Sequence, residues 1–368
     1  MKMKKVVALS TVIGVAIAGI AFISPASAEP VSNSYVLVGS DTLQDSSNAL
    51  LNGTNVTSAP VRVVTSGAAT IGSFDAFGSA VIQTKSGGPF FTRPSGSGAG
   101  VNALRASISG TLLNGVDISG QVDIARSSSG PGTTADAAGK LAYIPYARDA
   151  VAYAYKGGTS AWANITLDQL AQIYNGTLTV IDGVPVRPRL PQPTSGTRKF
   201  FLGAIGVGSG SNPVAPAVSD TGNVTPENDA TQLASGDIIP FSVANWIAQA
   251  NGVTAVNTTT TSAVALGTPL TGVVPFTGSA PSLVPNPDFY SNLTFGRNTY
   301  LVVEYARIDS GSASYDAVLA ALVLPTGSGA TSLTSFGAGA ATSGAVKKKF
   351  GFLVALNPNT IQRAVTTP

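Results

Sequence analysis

The stretch Tyr143-Ile144-Pro145-Tyr146-Ala147-Arg148-Asp149-Ala150-Val151-Ala152-Tyr153-Ala154-Tyr155 is long, extended in pattern and rich in aromatic and β-branched residues. It predicts a strand that crosses from one domain to another. Short apolar runs alternate with helical patterns on either side of it, which favours an α/β fold over an all-β one. Before it, Tyr35–Val38 reads as a strand, and Gly39-Ser40-Asp41-Thr42 turns into a helix running through Leu51. Val61–Thr65 reads as a second strand, Val101–Ile108 as a helix behind a Gly-rich turn, and Val122–Ala125 as a third strand. After it, Thr166 caps an amphipathic helix at Leu167–Tyr174, and Pro193–Arg198 opens another helix. Ile238–Phe241 reads as a strand and Val243–Asn251 as a helix stopped by Gly252. Val253–Pro287 has no helical period and reads as a loop or hairpin insertion. Thr299–Tyr305 is a strand that returns the chain to the first domain, followed by helical patterns at Tyr315–Leu324 and Ala345–Leu353.

Composition narrows the chemistry. Lys2, Lys4 and Lys5 precede an uncharged apolar run, Val6–Ile23, and a small-residue site ending in Ala26-Ser27-Ala28. Residues 1–28 therefore read as a secretory signal peptide. Its removal takes away three of the 21 Lys+Arg and none of the 18 Asp+Glu, so the remaining chain is formally neutral. Binding nucleic acid by bulk charge is excluded on that ground. The chain has no Cys and no His. That excludes a disulfide framework, a thiol nucleophile, a lipid-anchor cysteine, a Ser-His-Asp triad and the usual zinc motifs. No second apolar run is long enough to span a bilayer.

Three segments share one design, a Ser/Thr/Gly turn at a helix start. They are Gly39-Ser40-Asp41-Thr42-Leu43, Ser95-Gly96-Ser97-Gly98-Ala99-Gly100-Val101 and Thr194-Ser195-Gly196-Thr197-Arg198. Backbone N–H groups at a helix N-terminus attract a compact anion, and Ser or Thr adds a hydroxyl donor. Each turn taken alone also fits an ordinary N-cap; three of them, with Arg126 and Arg198 beside similar turns, point to an anion site. Other residues invite blander readings. Asp41 reads as a cap or first-turn acid, and Arg126 as an anion contact or a partner of Asp123 or Asp41. Glu227 and Asp229 read as a helix-start acidic pair, Trp246 as core, and Lys347-Lys348-Lys349 as the solvated face of a terminal helix.

The order of GSDTL, SGSGAGVNAL, VDIARSSSGP, YIPYARDAVAYAY, LDQLAQIYNG and TSGTR resembles the phosphate-binding proteins of ABC importers. The resemblance runs over about Tyr35–Phe241 and more weakly to the C-terminus. It implies a two-lobed type 2 periplasmic-binding-protein fold with a ligand cleft between the lobes. The first lobe would comprise residues 29–147 plus 295–368, and the second 148–294. It further implies a secreted solute-binding protein that captures inorganic phosphate or a similar tetrahedral oxyanion, without enzymatic activity, metal or cofactor, as a monomer serving an ABC importer permease. By position, the family's anion contacts fall on Thr42 and Leu43 with Ser40 adjacent, on Ser97, and on Ser195, Gly196 and Thr197. The family's Asp after the third strand is Ser128 here, and its Arg before the second-lobe turn is Pro191, which leaves Arg198, Arg189 or Arg126 to supply the cation. With Ser128 in place of a carboxylate, weaker discrimination of phosphate from sulfate is expected unless another acid such as Asp41 reaches the anion. The alternatives are an envelope-associated structural or adhesive protein on the same fold, and a secreted phosphoesterase or serine hydrolase in which Lys199 or Lys156 would have to activate Ser195. N-terminal sequencing of the exported protein is expected to start at Glu29, and retention of Met1 on a membrane-embedded chain would overturn the signal-peptide assignment.

Overall fold

The computed structural model describes residues 31–67, 69–220, 227–260, 263–325 and 331–366. The expected signal peptide, 1–28, lies outside the described residues. The crossover strand is Leu141–Lys156, 16 residues, of which the first 14 are buried. At about 3.3 Å per residue it runs for about 50 Å. It is the spine of a ten-stranded mixed sheet. Its first half pairs antiparallel with the return strand Gly296–Glu304, from Leu141↔Glu304 to Ala150↔Gly296. Its second half pairs antiparallel with Asp237–Ser242, from Val151↔Ser242 to Tyr155↔Ile238. Outside the return strand the sheet continues through Ile124–Ser127, Tyr35–Gly39 and Ile71–Ser73. Beyond Asp237–Ser242 it continues through Arg187–Leu190 and Ser219–Asp220.

Pro145 has no N–H to give to a ladder, and the pairing accommodates it with an irregularity. Thr299 faces Ala147 and Tyr300 faces Pro145, so Tyr146 is skipped. The freed Tyr146 hydroxyl lies 2.7 Å from that of Ser46 on the helix Gln44–Asn52.

Helices cover the sheet and divide the interior into three apolar clusters. One is drawn from residues 150–295 and centres on Trp162, Tyr174, Phe201, Phe241 and Phe289. The other two combine residues 35–147 with residues from 300 onward, one of them joined by Ala244 and Ala248, on opposite faces of the sheet; Leu37 and Leu301 belong to one, Val36 and Val302 to the other. Alternation along each strand sends neighbours to opposite faces. Trp246 is core, edge-on to Phe241.

Three expectations are corrected, and the hairpin expected within Val253–Pro287 is found together with an added strand. Val61–Thr65 is not a sheet strand: the Val61 and Val63 amides donate to Thr54 and Leu50 carbonyls, so Ile71–Ser73 takes the place beside Tyr35–Gly39. The third strand begins at Ile124 rather than Val122, because the Val122 amide is held by Ser107 Oγ. Within Val253–Pro287, Val264–Gly267 adds a strand to the crossover and Phe276–Thr277 pairs with Val284–Pro285. Lys347 is not solvated. It is fully buried, its ammonium donates to the Tyr146 and Leu333 carbonyls, and it lies over the Tyr146 ring, with burial pulling its pKa well below the usual lysine value.

One close approach positions the first turn. The helix Ser97–Ser109 sits against the end of Tyr35–Gly39, and a Cβ at Gly100 would lie 2.5 Å from Gly39 Cα. Gly100→Ala is expected to destabilise the protein by about 1–3 kcal/mol, read as a lowered urea midpoint with unchanged slope; an unaltered midpoint would show that this contact yields freely.

Candidate functional site: the cleft between the lobes

Three Ser/Thr/Gly turns converge on one place. In the first lobe, Ser40, Asp41, Thr42 and Leu43 are all buried where the first strand ends and the helix Gln44–Asn52 begins. The Ser40 amide donates to the Arg126 carbonyl and the Thr42 amide to Ser40 Oγ, which closes the turn. Ser97 opens the helix Ser97–Ser109; its hydroxyl accepts from the Ser128 amide at 2.9 Å and lies 3.0 Å from Ser128 Oγ. In the second lobe, Ser195 caps the helix Gly196–Ala204 by accepting from the Arg198 amide. The lobes meet here: the Gly98 amide donates to the Thr194 carbonyl at 3.0 Å, and Thr194 Oγ1 to the Ser95 carbonyl. A Cβ at Gly196 would overlap both Ser97 Oγ and Ser128 Oγ, so only glycine lets the second-lobe turn come this close.

The arginines singled out in the sequence are committed elsewhere. Arg126 is fully buried, with Nε on the Ser40 carbonyl, Nη1 on Ser73 Oγ and Nη2 on the Phe74 carbonyl. It braces the first turn against the sheet edge, and burial brings its pKa down to about 10. Arg198 turns to the Pro191 carbonyl and towards Asp220, and Arg189 to Asp237 and the Gln232 carbonyl.

The cation that reaches the cleft is Arg297, on the return strand. It stands opposite Asp149 of the crossover strand, and the two form a buried ion pair, with Nε at 3.0 Å and Nη2 at 2.8 Å from Asp149 Oδ2. Asp149 also accepts from the Ser242 hydroxyl and the Ala244 amide, so its position is fixed from four directions. Arg297 Nη2 reaches Thr197 Oγ1 at 2.9 Å and Thr42 Oγ1 at 3.5 Å, one hydroxyl from each lobe. Phe200 lies beneath the guanidinium, 5.6 Å from its centre. Nη1 is buried and has no hydrogen-bond partner.

Other buried polar atoms also lack partners. Gln192, fully buried, leaves both amide atoms unpaired beside Gly96, and Asn245 Nδ2 is unpaired on the helix that follows Ser242. The Thr197 hydroxyl donates a hydrogen bond to Glu227 Oε1 at 2.7 Å. Glu227 in turn meets the buried Asp41 carboxyl in a side-chain hydrogen bond. Burial first, then Glu227, pushes the Asp41 pKa well above the usual carboxylate value, so one proton holds the pair together. Asp41 is therefore not the cap of its helix; that position falls to Leu43, with no side-chain cap. Asp229 does cap a turn, accepting from the Thr231 amide, whereas Glu227 belongs to the cleft.

A family model described as the PBP superfamily domain matches residues 52–304, about two thirds of the chain, from the first helix to the end of the return strand. The chain belongs to the PBP superfamily. No curated protein matches the chain in sequence. Among solved structures, an ABC-type phosphate transport receptor from Vibrio cholerae is 16% identical, with a TM-score of 0.44 over 76% of this chain and 89% of that one. A putative phosphate ABC transporter substrate-binding protein with bound phosphate from Clostridium perfringens is 14% identical, with a TM-score of 0.44 over 77% and 90%. Among the described residues of this PBP-superfamily chain, no helix is long and apolar enough to cross a membrane and no cluster of carboxylates is suited to a metal.

Asp41 gives the cleft a pH signature. Because its folded pKa is raised, the native state holds a proton that the unfolded state releases. Stability is therefore lost as pH rises from the ordinary carboxylate range of about 4 towards the raised value. Asp41→Asn is expected to flatten this part of the stability–pH profile and to be at least as stable as wild type at alkaline pH. Urea unfolding across pH checks this, and an unchanged slope would overturn the shared proton.

Proposed function

We propose that this PBP-superfamily protein is a secreted solute-binding protein that captures inorganic phosphate or a similar tetrahedral oxyanion between its lobes. The observation that carries this reading is Arg297: a buried guanidinium fixed by Asp149, touching hydroxyls of both lobes, with Nη1 unspent. Buried polar groups are paired in nearly every native protein, so the unpaired, buried Nη1 of Arg297 calls for a polar ligand. Ser40, Thr42, Ser97, Ser128, Ser195, Gly196 and Thr197 are the residues we assign to the anion, with the Leu43 backbone beside them. Arg297 replaces Arg126 and Arg198 as the cation. Residues 29–147 with 295–368 form one lobe and 148–294 the other in this reading, and an ABC importer permease is the partner it implies.

Binding proceeds without covalent chemistry. The anion enters between open lobes and exchanges water for Arg297 and the turn hydroxyls, and closure brings Gly196 onto Ser97 and Ser128. Micromolar capture corresponds to about 8 kcal/mol, which several hydrogen bonds contributing about 1 kcal/mol net each would reach with one arginine. Glu227 shares the Thr197 hydroxyl with Arg297 and stands against Asp41, so two acids flank the site although Ser128 is neutral. A carboxylate there accepts the proton that phosphate retains and sulfate lacks, and so restores the discrimination that Ser128 alone would not provide.

Arg297→Gln is expected to weaken phosphate binding by about 3 kcal/mol and Thr197→Val by about 1–2 kcal/mol, both measured by calorimetry on folded protein. Wild type is expected to ignore millimolar sulfate, and Glu227→Gln to admit it. Unchanged phosphate affinity in Arg297→Gln would overturn the assignment of the site.

A further inference from the structure

Gln192 stands between Pro191 and Pro193, just ahead of the second-lobe turn. The two rings fix φ on either side of it, and the proline that follows biases Gln192 itself towards an extended backbone. Its carbonyl accepts from the Ser195 amide at 3.0 Å, and the Pro191 carbonyl accepts from Arg198 Nη1, so the loop is tied down on both sides of the residue. From this fixed base the side chain crosses to the first lobe. A Cβ at Gly96 would lie 3.2 Å from Gln192 Nε2, and Gly96, with φ of +96°, is the residue from which the helix Ser97–Ser109 starts without a side-chain cap. Gln192 is fully buried, and neither Nε2 nor Oε1 has a hydrogen-bond partner. Among the described residues it alone leaves both a donor and an acceptor unpaired in one side chain. Which end of the carboxamide is nitrogen is immaterial here, since both ends are unspent.

An amide buried in this way forfeits its hydration and gets nothing back, whereas an apolar side chain of the same shape would forfeit none. Unpaired buried polar groups are rare in native proteins, and each calls for a reason. The neighbours of Gln192 supply one. Ser97 follows Gly96 directly and Ser195 lies three positions beyond Gln192, and both are residues assigned above to the oxyanion. A carboxamide offers what neither a guanidinium nor a carboxylate can, an N–H to give and an oxygen to receive, side by side. A tetrahedral oxyanion that retains a proton presents the complementary edge, a bare oxygen next to an O–H. We propose that Gln192 is a further ligand residue of the cleft and a determinant of its specificity, donating through Nε2 to one oxygen of the anion and accepting at Oε1 from another that carries the proton. This role rests on the oxyanion reading of the cleft, and it adds a preference for protonated oxyanions that needs no carboxylate.

Calorimetry with inorganic phosphate on the mature chain tests it, using wild type, Arg297→Gln, Gln192→Met and Gln192→Glu, each checked for an intact urea transition. Methionine keeps the unbranched length of glutamine and removes both polar atoms. Gln192→Met is expected to unfold at an unchanged or higher urea midpoint, yet to bind phosphate about tenfold or more weakly. A residue that only fills the seam between the turns would leave affinity where it was, so a loss of affinity without a loss of stability is the signature of a ligand contact. Gln192→Glu keeps the shape and the acceptor, loses the donor and adds a charge that repels the anion. It is expected to bind phosphate about tenfold more weakly again than Gln192→Met, and its comparison with wild type stands alone should Gln192→Met fail to fold. Phosphate affinity within about twofold of wild type in either Gln192 variant overturns the proposal. If Arg297→Gln loses phosphate while the Gln192 variants keep it, the oxyanion reading stands and the role of Gln192 falls. If wild type binds no phosphate, the oxyanion reading itself fails and takes this role with it.

Discussion

The buried pair of Asp149 and Arg297 is the interaction on which the cleft depends. Taking two charges out of water costs more than their attraction returns unless hydrogen bonds complete the arrangement. Here they do: Asp149 accepts from Arg297, the Ser242 hydroxyl and the Ala244 amide. The pair links the two strands that pass between the lobes, directly across the ladder. A planar guanidinium held along one edge has its other edge aimed in a fixed direction. The fold thus uses an electrostatically expensive element to present one cationic edge at the point where the lobes meet.

The Thr197 hydroxyl connects that cation to the acids. It accepts from Arg297 and donates to Glu227, whose carboxyl meets Asp41. The cleft therefore runs from positive to negative within a few side chains. Its positive end touches Thr197 in the first turn of the helix Gly196–Ala204, and its negative end, at Asp41, borders a groove that Asp45, Asp75 and Asp229 also line. Such a gradient orients a charged molecule as well as holding it, since each end rejects the charge that the other accepts.

What was legible in the sequence was local. The crossover strand declares itself through a continuous apolar and aromatic run, and the helix starts at Thr166 and Ser195 through cap residues that act within three positions of themselves. The family's order of turns carried the fold, and the PBP match agrees with it. Arg297 escaped notice because its meaning comes from Asp149, 148 residues away, and from a register that no local pattern announces. A usable signal existed in the Arg at the start of the return strand, opposite the one acid inside the crossover, once those strands were paired. Arg126 was misread for the complementary reason: it follows an apolar strand as a ligand-binding Arg would, yet backbone carbonyls claim its donors. Lys347 looked solvated within a run of three lysines, but helical spacing turns it inward while its neighbours stay outside.

The crossover strand has a mechanical consequence. Because Leu141–Lys156 is paired to the return strand along one half and to Asp237–Ser242 along the other, the lobes share a continuous hydrogen-bonded ribbon rather than a loose tether. Relative motion of the lobes then has to be taken up as twist and bend of paired strands, in the manner of a torsion bar. A loop hinge has many nearly equal resting positions, whereas a torsion bar has one. Displacement stores elastic energy along its whole length and drives the return, so that opening and closing become excursions about a single equilibrium angle set by the sheet.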